Sequence, residues 1–398
     1  MTERKSISEN RGKTMITFNE EKLFYKPLEI QNKLTEKRAE MSEPQLAMLC
    51  GLMKEYKPKK IVEVGAAAGG TTAVILNCIS VLGMDTEVYS IDASEDYYRD
   101  MKKKTGYLAE ECRQFLSHTV KYEFLGGKYL PERLDEIGEE IDFLILDTVH
   151  TLPGELLDFL AALPYLKDGA IVVLHDTFLN QRPRSSNAFA TRVLLSAAVG
   201  EKIVGKGGDN SYNYIELGVF KITQDTAKYI ENVFSALMVT WSYIPDSQMM
   251  ELYGRFLSRY YQDNLMEEWN MAVEMNRKTI SGKHRMNRAG ICSIYELIRK
   301  LENKENIFIY GCGKTGAKLF ALFNDLGIKA EGYIVSDNAK KPCIDQRVEY
   351  ISDVDISKAV IVLGMTDKNQ KEVCKNPSAD RFILIDENIR HFLGGLYQ

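Results

Sequence analysis

Short apolar runs alternate with amphipathic stretches over two separate portions of the chain. EPQLAMLCGLMKEY (Glu43 to Tyr56) has helical periodicity and leads through KPKK into the apolar run IVEVG. VYSID (Val88 to Asp92), VKYEFL (Val120 to Leu125), IDFLILD (Ile141 to Asp147) and AIVVLHD (Ala170 to Asp176) are further β-rich runs. Helix-length segments such as TTAVILNCISVLG and LPGELLDFLAALPYL separate them. Buried strands alternating with helices predict a parallel sheet covered on both faces. YNYIELGVFKI (Tyr212 to Ile222) reads as a closing strand, for which an antiparallel setting is open.

From Thr223 to Arg288 the pattern changes to long helical stretches rich in aromatics, among them Phe234, Trp241, Tyr243, Tyr253, Tyr261 and Trp269. Such aromatics at helical spacing bury one another in a hairpin, and a lid or a homodimer surface is the other use open to them. NRKTISGKHRMNRAG (Asn276 to Gly290) is basic, polar and Gly-containing, which predicts a linker. Alternation then resumes with NIFIYG, KAEGYIVSD, AVIVLGM and RFILID as strands, and AKLFALFNDLG as an amphipathic helix. The expected organisation is a polar leader at 1–42, an α/β domain at 43–222, a helical segment and linker at 223–288, and a second small α/β domain at 289–398.

With 398 residues, two or three domains are expected. The hydrophobic fraction of 45% and charged fraction of 27% exclude a disordered, collagen-like or disulfide-scaffold chain. The net charge of −5 offers no general attraction for nucleic acid or for an anionic membrane, so neither is expected as a partner. No bilayer-length apolar run and no apolar signal-peptide core occur, and the seven Cys are scattered. A cytoplasmic protein with reduced thiols, acting on a small-molecule substrate, is the expectation.

IVEVGAAAGGTTAVIL places Glu63, Gly65, Gly69 and Gly70 after a strand and before a helix. Glycines there admit positive φ and bring main-chain N–H groups close to a ligand, with the helix N-terminus adding partial positive charge. The G-x-x-x-G-G spacing is neither a dinucleotide fingerprint nor a phosphate loop. Asp92, ending the next strand, is placed to accept hydrogen bonds from two ribose hydroxyls. The alternative is that the glycines serve tight packing and Asp92 caps a helix. These residues resemble the class I S-adenosylmethionine-dependent methyltransferases, whose first motif is a strand ending E-x-G-x-x-x-G, over about residues 43 to 222. The resemblance implies a doubly wound, mostly parallel Rossmann-like sheet that binds S-adenosylmethionine. By position it assigns Gly65, Ala66 and Gly69 to the methionine part, Asp92 and Ala93 to ribose, and Leu125, Gly126 and Gly127 to the adenine border.

LILDTVHT and VVLHDT each end an apolar strand with acid and histidine together, on the sheet edge where open α/β folds bind ligands. Asp147, His150, His175 and Asp176 therefore converge as candidate catalytic groups, because burying unpaired charge is costly and the four would hold a metal, a substrate or each other. The pattern resembles the macrocin-type and catechol-type O-methyltransferases. That likeness implies a magnesium ion on Asp147, His175 and Asp176 that orients adjacent hydroxyls. His175 stands where those enzymes carry an acid, so a metal-free histidine base is also open. Arg182, Arg184 and Arg192 follow in a loop that either receives an anionic substrate group or is solvated surface.

IFIYGCGKTGAKLF has Gly311, Gly313 and Gly316 in full G-x-G-x-x-G spacing, and Asp337 ends the next strand. It resembles the small Rossmann-like units appended to bacterial transferases, which implies a fold, with a nucleotide or sugar nucleotide and a docking role as alternatives. The favoured function is S-adenosylmethionine-dependent methyl transfer to a sugar or hydroxylated metabolite. The rivals are an NAD- or sugar-nucleotide-dependent enzyme centred on this second loop, and a non-catalytic nucleotide-binding assembly protein.

Overall fold

The apolar runs do become strands, and their order in the sheet decides where loops can meet. The computed structural model describes residues 15–182, 185–208, 213–375 and 382–396, without the side chains of 284–286 and 396. The chain divides into two units, one ending at Arg277 and the other beginning at Lys278.

The first unit holds an eight-stranded sheet of β1 (Met15–Phe18), β2 (Lys60–Val64), β3 (Glu87–Asp92), β4 (Lys121–Gly126), β5 (Ile141–Leu146), β6 (Leu166–Leu174), β7 (Glu201–Gly205) and β8 (Gly218–Lys221). Their spatial order is β1-β7-β8-β6-β5-β2-β3-β4. Only β8 runs antiparallel, hydrogen-bonded to β6 on one side and β7 on the other. The order reverses between β2 and β5, so the loops leaving their C-terminal ends diverge and open a crevice. The central strands are apolar on both faces, with Phe143, Leu144, Ile145 and Leu146 of β5 all buried, as helices on both sides require. The helix Gly70–Leu82 is apolar almost all round and sits inside the core with the helix Glu43–Tyr56.

Three features differ from the sequence pattern. Part of the expected leader at 1–42 is structural: β1 pairs with β7, and Phe18 and Ile30 are buried in the main core. Residues 1–14 of that leader lie outside the described residues. The closing strand shrinks to Gly218–Lys221 and enters the sheet interior rather than its edge, with Tyr212 outside the described residues. β1 and β7 escape the pattern because each is only four or five residues long, too short for a strand period to show.

The third difference lies in the middle of the chain. The aromatic helices do not stand apart from the α/β unit. Tyr253 donates to Asp158 (2.5 Å), Tyr261 donates to the Leu160 carbonyl (2.7 Å), and Arg259 pairs with Asp135 (3.0 Å). The stretch expected as a linker, 276–290, is helical within the 39-residue helix Asp263–Leu301. Its Lys, Arg, Met and Ala favour helix strongly enough to offset Gly282 and Gly290 at about 1 kcal/mol each. Asn276 also ties it down, accepting from the Trp241 N–H (2.8 Å) and donating to the Leu237 carbonyl (3.3 Å).

The second unit carries a wholly parallel five-stranded sheet, β9 (Ile307–Tyr310), β10 (Ala330–Val335), β11 (Val348–Tyr350), β12 (Val360–Leu363) and β13 (Phe382–Leu384), ordered β11-β10-β9-β12-β13. Its core is built from Ile309, Leu319, Phe323, Val362, Ile389 and Leu393. Among the described residues no helix is long and apolar enough to cross a membrane.

Since Phe18 is the buried anchor of β1, Phe18→Ala is expected to cost about 3–5 kcal/mol. Urea unfolding should show a lower midpoint with an unchanged slope.

Candidate active site

The loop after β2 is shaped by what its glycines touch. Gly65 has φ 97°, and a Cβ there would lie 1.9 Å from the Asp147 carbonyl oxygen, so only glycine lets β2 and β5 part this closely. At Gly70 a Cβ would lie 1.8 Å from the Arg38 carbonyl, because residues 38–42 cross the start of the helix Gly70–Leu82. Tight packing therefore explains Gly70 and, against Ala109, Gly69. Gly65, Ala66, Ala67 and Ala68 line a cavity of about 1180 Å³, and Gly70 also borders it.

Asp92 lines that cavity from the end of β3. One of its oxygens accepts from the Ala67 N–H (3.1 Å) and the other from the Ser94 N–H (2.9 Å). Each oxygen keeps a lone pair for a further donor. Ala93 lines the cavity beside it, whereas Gly69 and Gly126 are absent from the lining. The wall after β4 is made instead by Lys128, Tyr129 and Leu130, a few residues beyond the expected adenine border.

Glu63 lies beneath the loop rather than on the cavity. It is 1% exposed and accepts from Thr72 (2.6 Å) and Ser90 (2.7 Å). Burial pushes its carboxyl up to about 7 despite those two donors.

On the other side of the crevice the four polar groups at the ends of β5 and β6 do converge. His175 Nδ1 lies 2.8 Å from Asp147 Oδ1, and His150 Nε2 lies 3.4 Å from the same oxygen. The Asp176 carboxylate stands 3.5 Å from His175 Nε2 and 3.7 Å from His150 Nε2. All four line the cavity. His150 and Asp176 both have left-handed backbones, with φ of 55° and 54°, a strain that surrounding structure must enforce. Burial alone would discharge the imidazoles. For His150 the nearby Asp147 and Glu155 carboxyl groups outweigh it and raise the ring to about 10, and for His175 the Asp147 charge raises it likewise. Burial also opposes ionisation of Asp147, but the charge of His175 and hydrogen bonds from both rings carry its carboxyl well below the usual range.

Asp147, His150 and His175 each offer a ligand atom within 4.8 Å of the others. Magnesium takes oxygen ligands, and here two of the donors are imidazoles while Asp147 already serves His175. The donor set does not fit magnesium.

Sequence reasoning missed the rest of the lining: residues 38–42 with Pro44 and Gln45, then Tyr98, Arg99, Tyr214, Tyr243 and Tyr253, and Asp158 with burial raising its carboxyl to about 7. Nothing local marks these, since each arrives from a distant element. Arg182 lines the cavity. Arg192 instead stacks on the Phe178 ring (4.0 Å) and donates to the Thr177 carbonyl (3.1 Å), and Arg184 lies outside the described residues.

In the second unit, Gly316 is needed for helix packing, since a Cβ would lie 1.8 Å from the Gly311 carbonyl. Gly311 has φ 105°, Gly313 faces open space, and Asp337 is exposed and accepts from the Ser352 N–H (3.1 Å). A cavity of about 670 Å³ in this unit lies at the N-terminal ends of β9 and β10, away from all four residues.

Residues 62–177, from β2 to just past the end of β6, match the model of a methyltransferase-domain family. Solved structures similar to the chain include the O-methyltransferase TomG from Streptomyces achromogenes, involved in tomaymycin synthesis, in complex with SAM. It is 19% identical over 50% of this chain and 88% of that one, with a TM-score of 0.35. An O-methyltransferase from Bacillus cereus with SAH is 16% identical over 55% of this chain and 94% of that one, TM-score 0.33. The SAH-bound methyltransferase PaMTH1 of Podospora anserina is 14% identical over 50% and 86%, TM-score 0.33. No curated protein matches the chain.

The pH response of Glu63 tests the burial beneath the loop. Its carboxyl titrates higher folded than unfolded, so stability is full below pH 4.5 and falls as pH rises towards 7. Relative to Glu63→Gln, the wild type is expected to lose on the order of 3 kcal/mol between pH 4 and pH 8. Parallel denaturation of both proteins across that range measures it, and a constant difference would show that folding does not raise the Glu63 carboxyl.

Proposed function

We propose that the first unit transfers a methyl group from S-adenosylmethionine to a hydroxyl of a small acceptor held in the same cavity. The observation that carries this reading is that one cavity joins the bared loop and Asp92 to the Asp147–His150–His175–Asp176 cluster. The match of residues 62–177 to a methyltransferase domain supports it. Asp92 takes the ribose hydroxyls, and the main chain of Gly65 and Ala66 borders the methionine part. The sheet edge thereby presents the sulfonium methyl towards β5 and β6. A cavity of about 1180 Å³ leaves room for an acceptor beside the cofactor, against Tyr129, Tyr243 and Tyr253.

In the transfer, the acceptor oxygen forms a bond to the methyl carbon as the carbon–sulfur bond breaks, and the hydroxyl proton must leave. His150, held positive by its carboxylate neighbours, stabilises the developing charge on that oxygen, with His175 beside it raised in the same direction by Asp147. Asp176, the most exposed of the four at 18%, takes the proton. The remaining contribution is in-line placement.

Calorimetry with S-adenosylhomocysteine tests the cofactor half. Asp92→Ala is expected to weaken binding about 100-fold, as loss of two hydrogen bonds to a charged acceptor implies, and absence of any binding heat in the wild type would end the proposal. For the acceptor half, methyl transfer to a panel of sugars and catechols can be followed by mass spectrometry. With any acceptor that reacts, His175→Ala is expected to lower kcat roughly 100-fold while leaving S-adenosylhomocysteine affinity unchanged.

A further inference from the structure

A buried acid stands directly behind this site. Glu155, in the first turn of the helix Gly154–Ala162, is 0% exposed and does not line the cavity. Its Oε1 accepts the main-chain N–H of His150 (2.7 Å) and lies 3.1 Å from His150 Nδ1. Its Oε2 has no hydrogen-bond partner, and neither has His150 Nδ1, whose N–H direction misses Oε1. Unpaired buried polar atoms are rare enough to need a reason. A small rotation of the ring turns this close contact into a hydrogen bond and satisfies Nδ1.

Two constraints converge on His150. Its left-handed backbone is clamped from both ends, by Glu155 at the N–H and by the Ala190 N–H at the carbonyl (3.0 Å). Its ring has Glu155 at Nδ1 and the Asp147 and Asp176 carboxylates at Nε2, with the His175 ring edge-on at 5.7 Å. Which imidazole nitrogen is available to a reaction is set by what the other one holds.

We propose that Glu155 is a positioning residue: its carboxylate locks the backbone of His150 and claims Nδ1, so that Nε2 faces the acceptor oxygen. The inference rests on the methyl-transfer reading and extends it to a residue that never touches substrate. A leucine of similar size would bury more favourably at this position, so a carboxylate here has the His150 contacts as its structural reason.

The chain has five histidines, so the ring of His150 can be identified in 15N-histidine spectra by comparison with His150→Gln. In the wild type at pH 7, Nδ1 of His150 is expected to carry the proton; a bare Nδ1 overturns the proposal without any variant. In Glu155→Gln, which keeps the acceptor for the backbone N–H, the His150 ring signals are expected to shift and broaden. S-adenosylhomocysteine affinity should stay within about twofold, and kcat for a reacting acceptor should fall roughly 10- to 100-fold at unchanged KM. An unshifted His150 signal in Glu155→Gln overturns the proposal, as does a melting temperature that falls while ring signals and kcat stay as in the wild type. If the wild type binds no S-adenosylhomocysteine, the methyl-transfer reading fails instead, and the spectra still report on Glu155.

Discussion

The first unit turns on how one carboxylate is neutralised at the end of β5. Asp147 is nearly buried, and a charge in that position persists only because His175 and His150 both approach one of its oxygens. The rings in turn titrate higher than free imidazole because carboxyl groups surround them, Asp147 and Glu155 about His150 and Asp147 and Asp176 about His175. Removing any one member leaves an uncompensated charge beneath the crevice, so the group behaves as a unit. The strained backbones of His150 and Asp176 belong to the same arrangement: two strand ends are turned abruptly so that imidazole and carboxylate meet.

The glycine loop is coupled to this cluster through the main chain. Gly65 packs against the carbonyl of Asp147 itself, so the close approach of β2 and β5 that bares the loop also fixes where Asp147 begins its turn. On the outer side, residues 38–42 close over Gly70 and line the cavity. The glycine loop and the cluster are thus two faces of one packing problem.

Much of this was legible in the sequence because it is local. A strand ending in glycine, a strand ending in Asp92, and two strands ending in acid with histidine each announce a position on the C-terminal edge of a parallel sheet. The structure brings Asp147, His150, His175 and Asp176 within a few ångströms, as the strand grammar requires. Local patterns were less reliable where packing decides. Glu63 and Gly69 sit in the motif yet turn inward. β1 and β7 are too short to be read without each other, and 276–290 has a linker's polarity with a helix former's composition.

The sequence by itself determined the layered α/β class, the two sheets and the strand ends that carry chemistry, since these follow from hydrophobic period and from glycine and charge placed next to it. Only the tertiary structure decided which charges neutralise one another, that Glu155 stands behind His150, and that Arg38, Tyr243 and Tyr253 share a wall with Asp92. The reason is physical: the energy of a buried charge depends on neighbours within a few ångströms, and those neighbours come from elements far apart in the chain.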